Sequence, residues 1–64
     1  MTAFFRRSLF AVRDVRAGET FTADNVRSIR PGQGLPPKYL PKILGRKAAK
    51  SIAAGTPLAW ELIG

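Results

Sequence analysis

The side chains that most often carry out chemistry are either missing from this sequence or isolated within it. Its 64 residues include no cysteine and no histidine, which removes the thiolate nucleophile, the imidazole base and the two commonest transition-metal ligands. The four carboxylates, Asp14, Glu19, Asp24 and Glu61, are spread singly along the chain. None belongs to a cluster that would hold calcium or magnesium, and no acid–base pair can be assembled. The chain is therefore expected to hold no metal, no cofactor and no catalytic residue, and not to be an enzyme in isolation.

Binding chemistry is better represented. Eleven Lys and Arg against four Asp and Glu give a net charge of +7, which favours an acidic partner or an anionic ligand. Lys42, Arg46, Lys47 and Lys50 are the densest basic stretch, but no helix-turn-helix or aromatic RNA-binding signature stands beside them. They read as a solvated face, and nucleic acid is not the expected partner. Gly32 and Gly34 could present backbone N–H groups to an anion. No long helix follows them as in a phosphate-binding loop, so they read first as shapers of a loop. Tyr39 and Trp60 could stack on a sugar or a base. In so small a domain Trp60 is instead assigned to the core beside Leu58 and Ile63, together with Phe10, Phe21, Ile29, Leu44 and Ile52.

These residues need elements to hold them. A chain this short forms one domain that buries only about 60% of its unfolded surface, so a deep pocket of its own is not expected. Ser8-Leu9-Phe10-Ala11-Val12-Arg13 has no helical spacing and leads into Arg16-Ala17-Gly18-Glu19. That pattern predicts a strand ending in a tight turn, with the glycine at positive φ. Thr22 can cap one short helical turn with Asn25 at its third position, after which Val26-Arg27-Ser28-Ile29-Arg30 extends again. Pro31 biases Arg30 toward extended backbone. Four of the five prolines and two of the six glycines fall between Pro31 and Pro41, which predicts a loop of restricted shape. From Lys38 only a short helical turn is possible, because Pro41 lacks a donor and Gly45 ends it. No apolar run approaches the roughly 20 residues of a membrane helix, and the opening run is too short for a signal peptide. A soluble cytoplasmic chain is expected.

The last third of the chain repeats the first at a shift of 37 residues. Val15–Val26 lies over Ile52–Ile63, aligning Ala17 with Ala54, Gly18 with Gly55, Phe21 with Leu58, Asp24 with Glu61 and Val26 with Ile63. Two copies of a strand, a glycine turn and a short helical turn predict internal pseudo-two-fold symmetry, each copy covering the other's apolar face.

Several of these segments, in this order, resemble a known family. Ser8-Leu9-Phe10-Ala11-Val12-Arg13-Asp14-Val15-Arg16-Ala17-Gly18-Glu19, Thr22-Ala23-Asp24-Asn25-Val26, Arg30-Pro31-Gly32-Gln33-Gly34, Ile43-Leu44-Gly45-Arg46-Lys47-Ala48 and Gly55-Thr56-Pro57-Leu58 are similar to the SAF (antifreeze-like) domain. That domain ends the bacterial sialic acid, legionaminic acid and pseudaminic acid synthases. The resemblance assigns residues 7–64 to the SAF domain and residues 1–6, with Phe4 and Phe5, to a linker or appended stretch. It implies a mostly β fold, the β-clip of type III antifreeze proteins, with short strands and short helical turns.

The resemblance also implies a role. In such a synthase a TIM barrel condenses phosphoenolpyruvate with an N-acetylated hexose, using a divalent metal, manganese or magnesium, held by the barrel. The SAF domain is the C-terminal lid, reaching across a domain-swapped homodimer to cap the partner subunit's barrel. The family's motif puts its substrate-contacting arginine at Arg30, hydrogen-bonded to the N-acyl carbonyl of the sugar, with Gly32, Gln33 and Gly34 as neighbouring contacts. A guanidinium suits that task, being always charged with five donors in a fixed fork. A rigid mounting would limit the entropy lost on binding. The stretch from Arg30 to Leu40 is more similar to pseudaminic acid synthases than to neuraminate ones.

The alternative is a non-catalytic SAF binding module unconnected to a synthase, basic enough to take an anion or nucleic acid. Ice binding, known on the same fold, conflicts with the polar Arg13, Asp24 and Asn25.

Overall fold

A computed structural model describes residues 6–64 of the chain. Of the stretch assigned to a linker, only Arg6 falls among the described residues; Phe4 and Phe5 lie outside them.

Two short strands, β1 (Ser8–Ala11) and β2 (Val26–Ile29), pair antiparallel, with Ser8 opposite Ile29 and Ala11 opposite Val26. A 3-10 turn at Pro37–Tyr39 runs into the short helix α1 (Leu40–Ile43), and a second 3-10 turn spans Trp60–Leu62. Isolated bridges join Val15 to Ile52, Thr20 to Lys47, Ala48 to Ile63 and Phe10 to Pro57. The pairing is thus that of a mostly β domain made of short pieces. Pro41 is accommodated because it falls in the first turn of α1, where its missing N–H would have no partner anyway. The helix stops at Gly45, which takes a φ of 92° in the left-handed region open to glycine.

Side-chain alternation along the strands sorts the residues into two faces. Leu9, Ala11 and Val26 point into a core completed by Val15, Phe21, Leu35, Ile43, Ala48, Ile52 and Leu58. Phe10 is also buried, but on the opposite face of β1, outside that cluster and across from Arg27. Tyr39, Leu40, Leu62 and Ile63 pack along the margin of the core.

Three residues expected in the core are instead exposed: Trp60 at 50%, Ile29 at 38% and Leu44 at 36%. Ile29 lies an odd number of residues after Val26, so the strand's alternation turns it to the other face. Leu44 caps α1 in extended backbone (φ −59°, ψ 130°), which takes it off the helical face shared by Leu40 and Ile43. Trp60 starts a 3-10 turn whose last residue, Leu62, and the following Ile63 take the positions against the core. Its ring instead meets Tyr39 edge-on, with centroids 5.1 Å apart.

Backbone hydrogen bonds recur at the 37-residue shift seen in the sequence. Val15 and Ile52 exchange N–H···O bonds at 2.8 and 2.7 Å. The bond from Gly18 N–H to Ala48 O has its counterpart from Gly55 N–H to Ala11 O, and that from Ala48 N–H to Glu19 O has its counterpart from Ala11 N–H to Thr56 O. Phe21 N–H to Arg46 O and Leu58 N–H to Leu9 O form a further such couple. Gly18 and Gly55 have φ of 85° and 90°. The Thr22 turn is closed as the sequence suggests: Thr22 N–H donates to Asn25 Oδ1 at 2.8 Å and Asp24 N–H to Thr22 Oγ1 at 3.2 Å.

Burial sets a clear order of stability costs. Leu58→Ala should destabilise the fold by about 2–5 kcal/mol through the cavity it leaves. Trp60→Ala should cost about 1 kcal/mol, the scale of one partly exposed aromatic contact. Urea unfolding of the two variants beside the unaltered chain checks that order, and an equal or larger loss for Trp60→Ala would contradict it.

Candidate functional site

The loop after β2 carries the residues singled out in the sequence, and the structure pins it from both ends. At its start, the buried Ser8 hydroxyl donates to Pro31 O at 2.7 Å and accepts Gly34 N–H at 3.0 Å. At its end, Leu9 N–H donates to Leu35 O, Leu35 N–H to Leu58 O and Leu58 N–H to Leu9 O, each at 2.9 Å. These three bonds close a ring across three distant parts of the chain. Gly34 lies against it so tightly that an added Cβ would sit 2.5 Å from Leu9 O and 2.9 Å from Leu58 N. Gly34 does not have a positive φ, so close approach, not conformation, demands glycine there.

Arg30 stands exposed where β2 gives way to the loop, followed by a cis peptide bond to Pro31. Gln33 is exposed on the same loop, while Gly32 and Gly34 are half-buried. Gly32 and Gly34 line a cleft of about 390 Å³ together with Arg6, Arg7, Pro36 and Pro37. Arg30 and Gln33 are not among the residues lining that cleft. The structure therefore carries Arg30, Gly32, Gln33 and Gly34 on one fixed loop but gathers only the two glycines into a concavity.

Elsewhere, Tyr39 and Trp60 form a partly exposed aromatic pair, with the Lys38 and Lys42 ammonium groups 5.1 and 5.9 Å from the Tyr39 ring centroid. Lys42, Arg46, Lys47 and Lys50 are all exposed. Among the described residues no group of three or more His, Cys, Asp or Glu could hold a metal ion, and no helix is long and apolar enough to cross a membrane.

Sequence reasoning missed Ser8 and the tie from Asn25 to Thr20. Ser8 and Asn25 are buried, and both spend their polar atoms on backbone: Asn25 Nδ2 donates to Thr20 O at 3.0 Å while its Oδ1 holds Thr22 N–H. The available signal was a hydroxyl opening an otherwise apolar run, since a polar side chain buried in such a place must find partners.

Residues 6–63 match the family described as the SAF domain. The chain belongs to the SAF domain family. Over 58 residues it is 48% identical to the pseudaminic acid synthase of Helicobacter pylori, an alignment that takes in 91% of this SAF domain but only 17% of the synthase. The spore coat polysaccharide biosynthesis protein spsE of Bacillus subtilis superposes with a TM-score of 0.88 at 33% identity, covering 97% of this chain and 18% of that one. The antifreeze-protein-like domain in the human N-acetylneuraminic acid phosphate synthase gene superposes with a TM-score of 0.81 at 21% identity, covering 89% of this chain and 73% of that one. The last likeness is one of fold alone. The chain thus spans about a sixth of the length of these two full-length relatives.

Gly34 supplies a test of the pinned loop. Gly34→Ala should destabilise the domain by about 1–3 kcal/mol, because the new methyl meets backbone that cannot swing aside. Ser8→Ala should cost a similar amount, about 1–3 kcal/mol, by leaving the half-buried Gly34 N–H without its acceptor. Thermal unfolding measures both; a neutral Gly34→Ala would mean that the loop can lift off the ring.

Proposed function

We propose that this SAF domain, residues 7–64, is the C-terminal lid of a sialic-acid-type synthase, with pseudaminic acid synthase the favoured member. In a domain-swapped homodimer it caps the partner subunit's TIM barrel and helps position the N-acetylated hexose that condenses with phosphoenolpyruvate. Support for the enzyme class comes from the 48% identity to a pseudaminic acid synthase. The observation that carries the positioning role is the pinned loop: Arg30 projects from backbone held by Ser8 and by the Leu9–Leu35–Leu58 ring. An arginine so mounted can offer its fork to the sugar's N-acyl carbonyl with little loop ordering left to bring about. Gly32, Gln33 and Gly34 lie on the same loop and are proposed as its neighbours at the sugar. The divalent metal, manganese or magnesium, is assigned to the barrel on the family resemblance. The fold itself is read as a pseudo-two-fold β-clip, a reading supported by the hydrogen bonds that recur at the shift of 37 residues.

In a full-length synthase carrying this domain, Arg30→Ala should lower kcat/KM for the sugar about ten- to a hundredfold, the loss of one charge-assisted hydrogen bond. Melting temperature should be unchanged, since Arg30 is exposed. Arg30→Lys should rescue poorly, because it keeps the charge and loses the planar fork. Wild-type kinetics in both variants would remove Arg30 from the site, and a matching fall in stability would show that it holds the loop instead.

A further inference from the structure

The cleft beside the pinned loop carries two arginines, Arg6 and Arg7, that the lid reading does not use. Arg6 and Arg7, which lead into β1, line it together with Gly32, Gly34, Pro36 and Pro37. Both arginines are exposed. Two arginines lining one small concavity make it favourable for an anion. Gly32, half-buried, adds a backbone donor: among the described residues its N–H has no intrachain acceptor, and neither has that of Gln33. Gly34 N–H, by contrast, is already held by Ser8. With no side chain, Gly32 leaves its backbone open to close approach by a ligand. At about 390 Å³ the space exceeds that of a bare oxyanion, and the two prolines offer apolar surface to the rest of a small molecule.

We infer that this cleft is a binding site for a small organic anion, its carboxylate or phosphoryl group held by Arg6, Arg7 and the Gly32 N–H with its carbon skeleton against Pro36 and Pro37. The site shares Gly32 and Gly34 with the loop proposed to meet the sugar but not Arg30, which does not line it, and it takes an anion where an N-acyl sugar is neutral. It is a property of the chain alone and stands whether or not the lid reading does.

The test is a titration of the isotopically labelled chain, followed by backbone amide resonances, with glycerol phosphate, glycerate and neutral glycerol at constant ionic strength. Saturable shifts centred on Gly32 and Gln33 with one or both anions, and none with glycerol, are the expected result. Response to glycerol phosphate alone assigns a phosphoryl ligand, and response to glycerate alone a carboxylate. Arg6→Gln and Arg7→Gln should each weaken the binding about tenfold, the loss of one charge-assisted contact. Arg30→Ala should leave it unchanged, which separates failure here from failure of the sugar-positioning role. Shifts that do not saturate, that spread evenly over Lys38, Lys42, Lys47 and Lys50, or that persist in the two glutamine variants would overturn the proposal. Unshifted resonances for Leu9 and Leu35 in those variants verify that the fold is intact when the comparison is made.

Discussion

Three amide donors and three carbonyls, those of Leu9, Leu35 and Leu58, satisfy one another in a closed ring, and the rest of the domain is arranged around it. All three residues are buried, so their backbone groups have no water to turn to and must be paired. A sheet would pair them by extending strands on either side, but this chain has only short segments to offer. The ring solves the same problem with one residue from each of three segments, bringing β1, the end of the proline-rich loop and the C-terminal third of the chain to one point. Gly34 is what lets them meet, since any side chain there would push against two backbones at once. Loss of the ring would expose six polar groups of the core and release the loop at its far end.

From that constraint follows the character of the loop. Fixed at Pro31 and Gly34 by Ser8 and at Leu35 by the ring, it has little freedom left between, and prolines on both sides remove more. A binding element built this way gives up little conformational entropy when it meets its ligand. Rigidity of this kind suits a role in holding a ligand in place. The charge of +7 acts in the same sense by raising the local concentration of anions around the domain.

Much of the scaffold was legible in the sequence because its signals are local or periodic. Glycines 18, 45 and 55 announced turns and occupy positive φ, and the shift that aligns Val15 with Ile52 also relates their reciprocal hydrogen bonds. The short helix before Gly45 and the Thr22 turn were legible for the same reason. What escaped notice depends on contacts between residues far apart in the chain. Nothing near Leu9 announces Leu35 or Leu58 as partners, and nothing near Ser8 announces Pro31 and Gly34. Trp60 was misassigned because composition ranks a large aromatic as core, whereas Leu58, Leu62 and Ile63 fill the available space and leave it on the surface against Tyr39. For the candidate site, residue types and the family motif brought Arg30, Gly32, Gln33 and Gly34 into view, but the cleft formed with Arg6 and Arg7 could be seen only in three dimensions.

If the loop is a fixed mount, hydrogen exchange of single backbone amides will show it. Exchange of Gly34 and Leu35 N–H should be as slow as that of Leu9, Leu58 and the Val15–Ile52 couple, because opening the loop would require opening the core. In a Ser8→Ala chain the Gly34 amide should exchange markedly faster, with Val15 and Ile52 little changed. Rapid exchange of Gly34 and Leu35 in the unaltered chain, beside slow exchange at Val15 and Ile52, would mean that the loop opens independently of the core and would contradict the account.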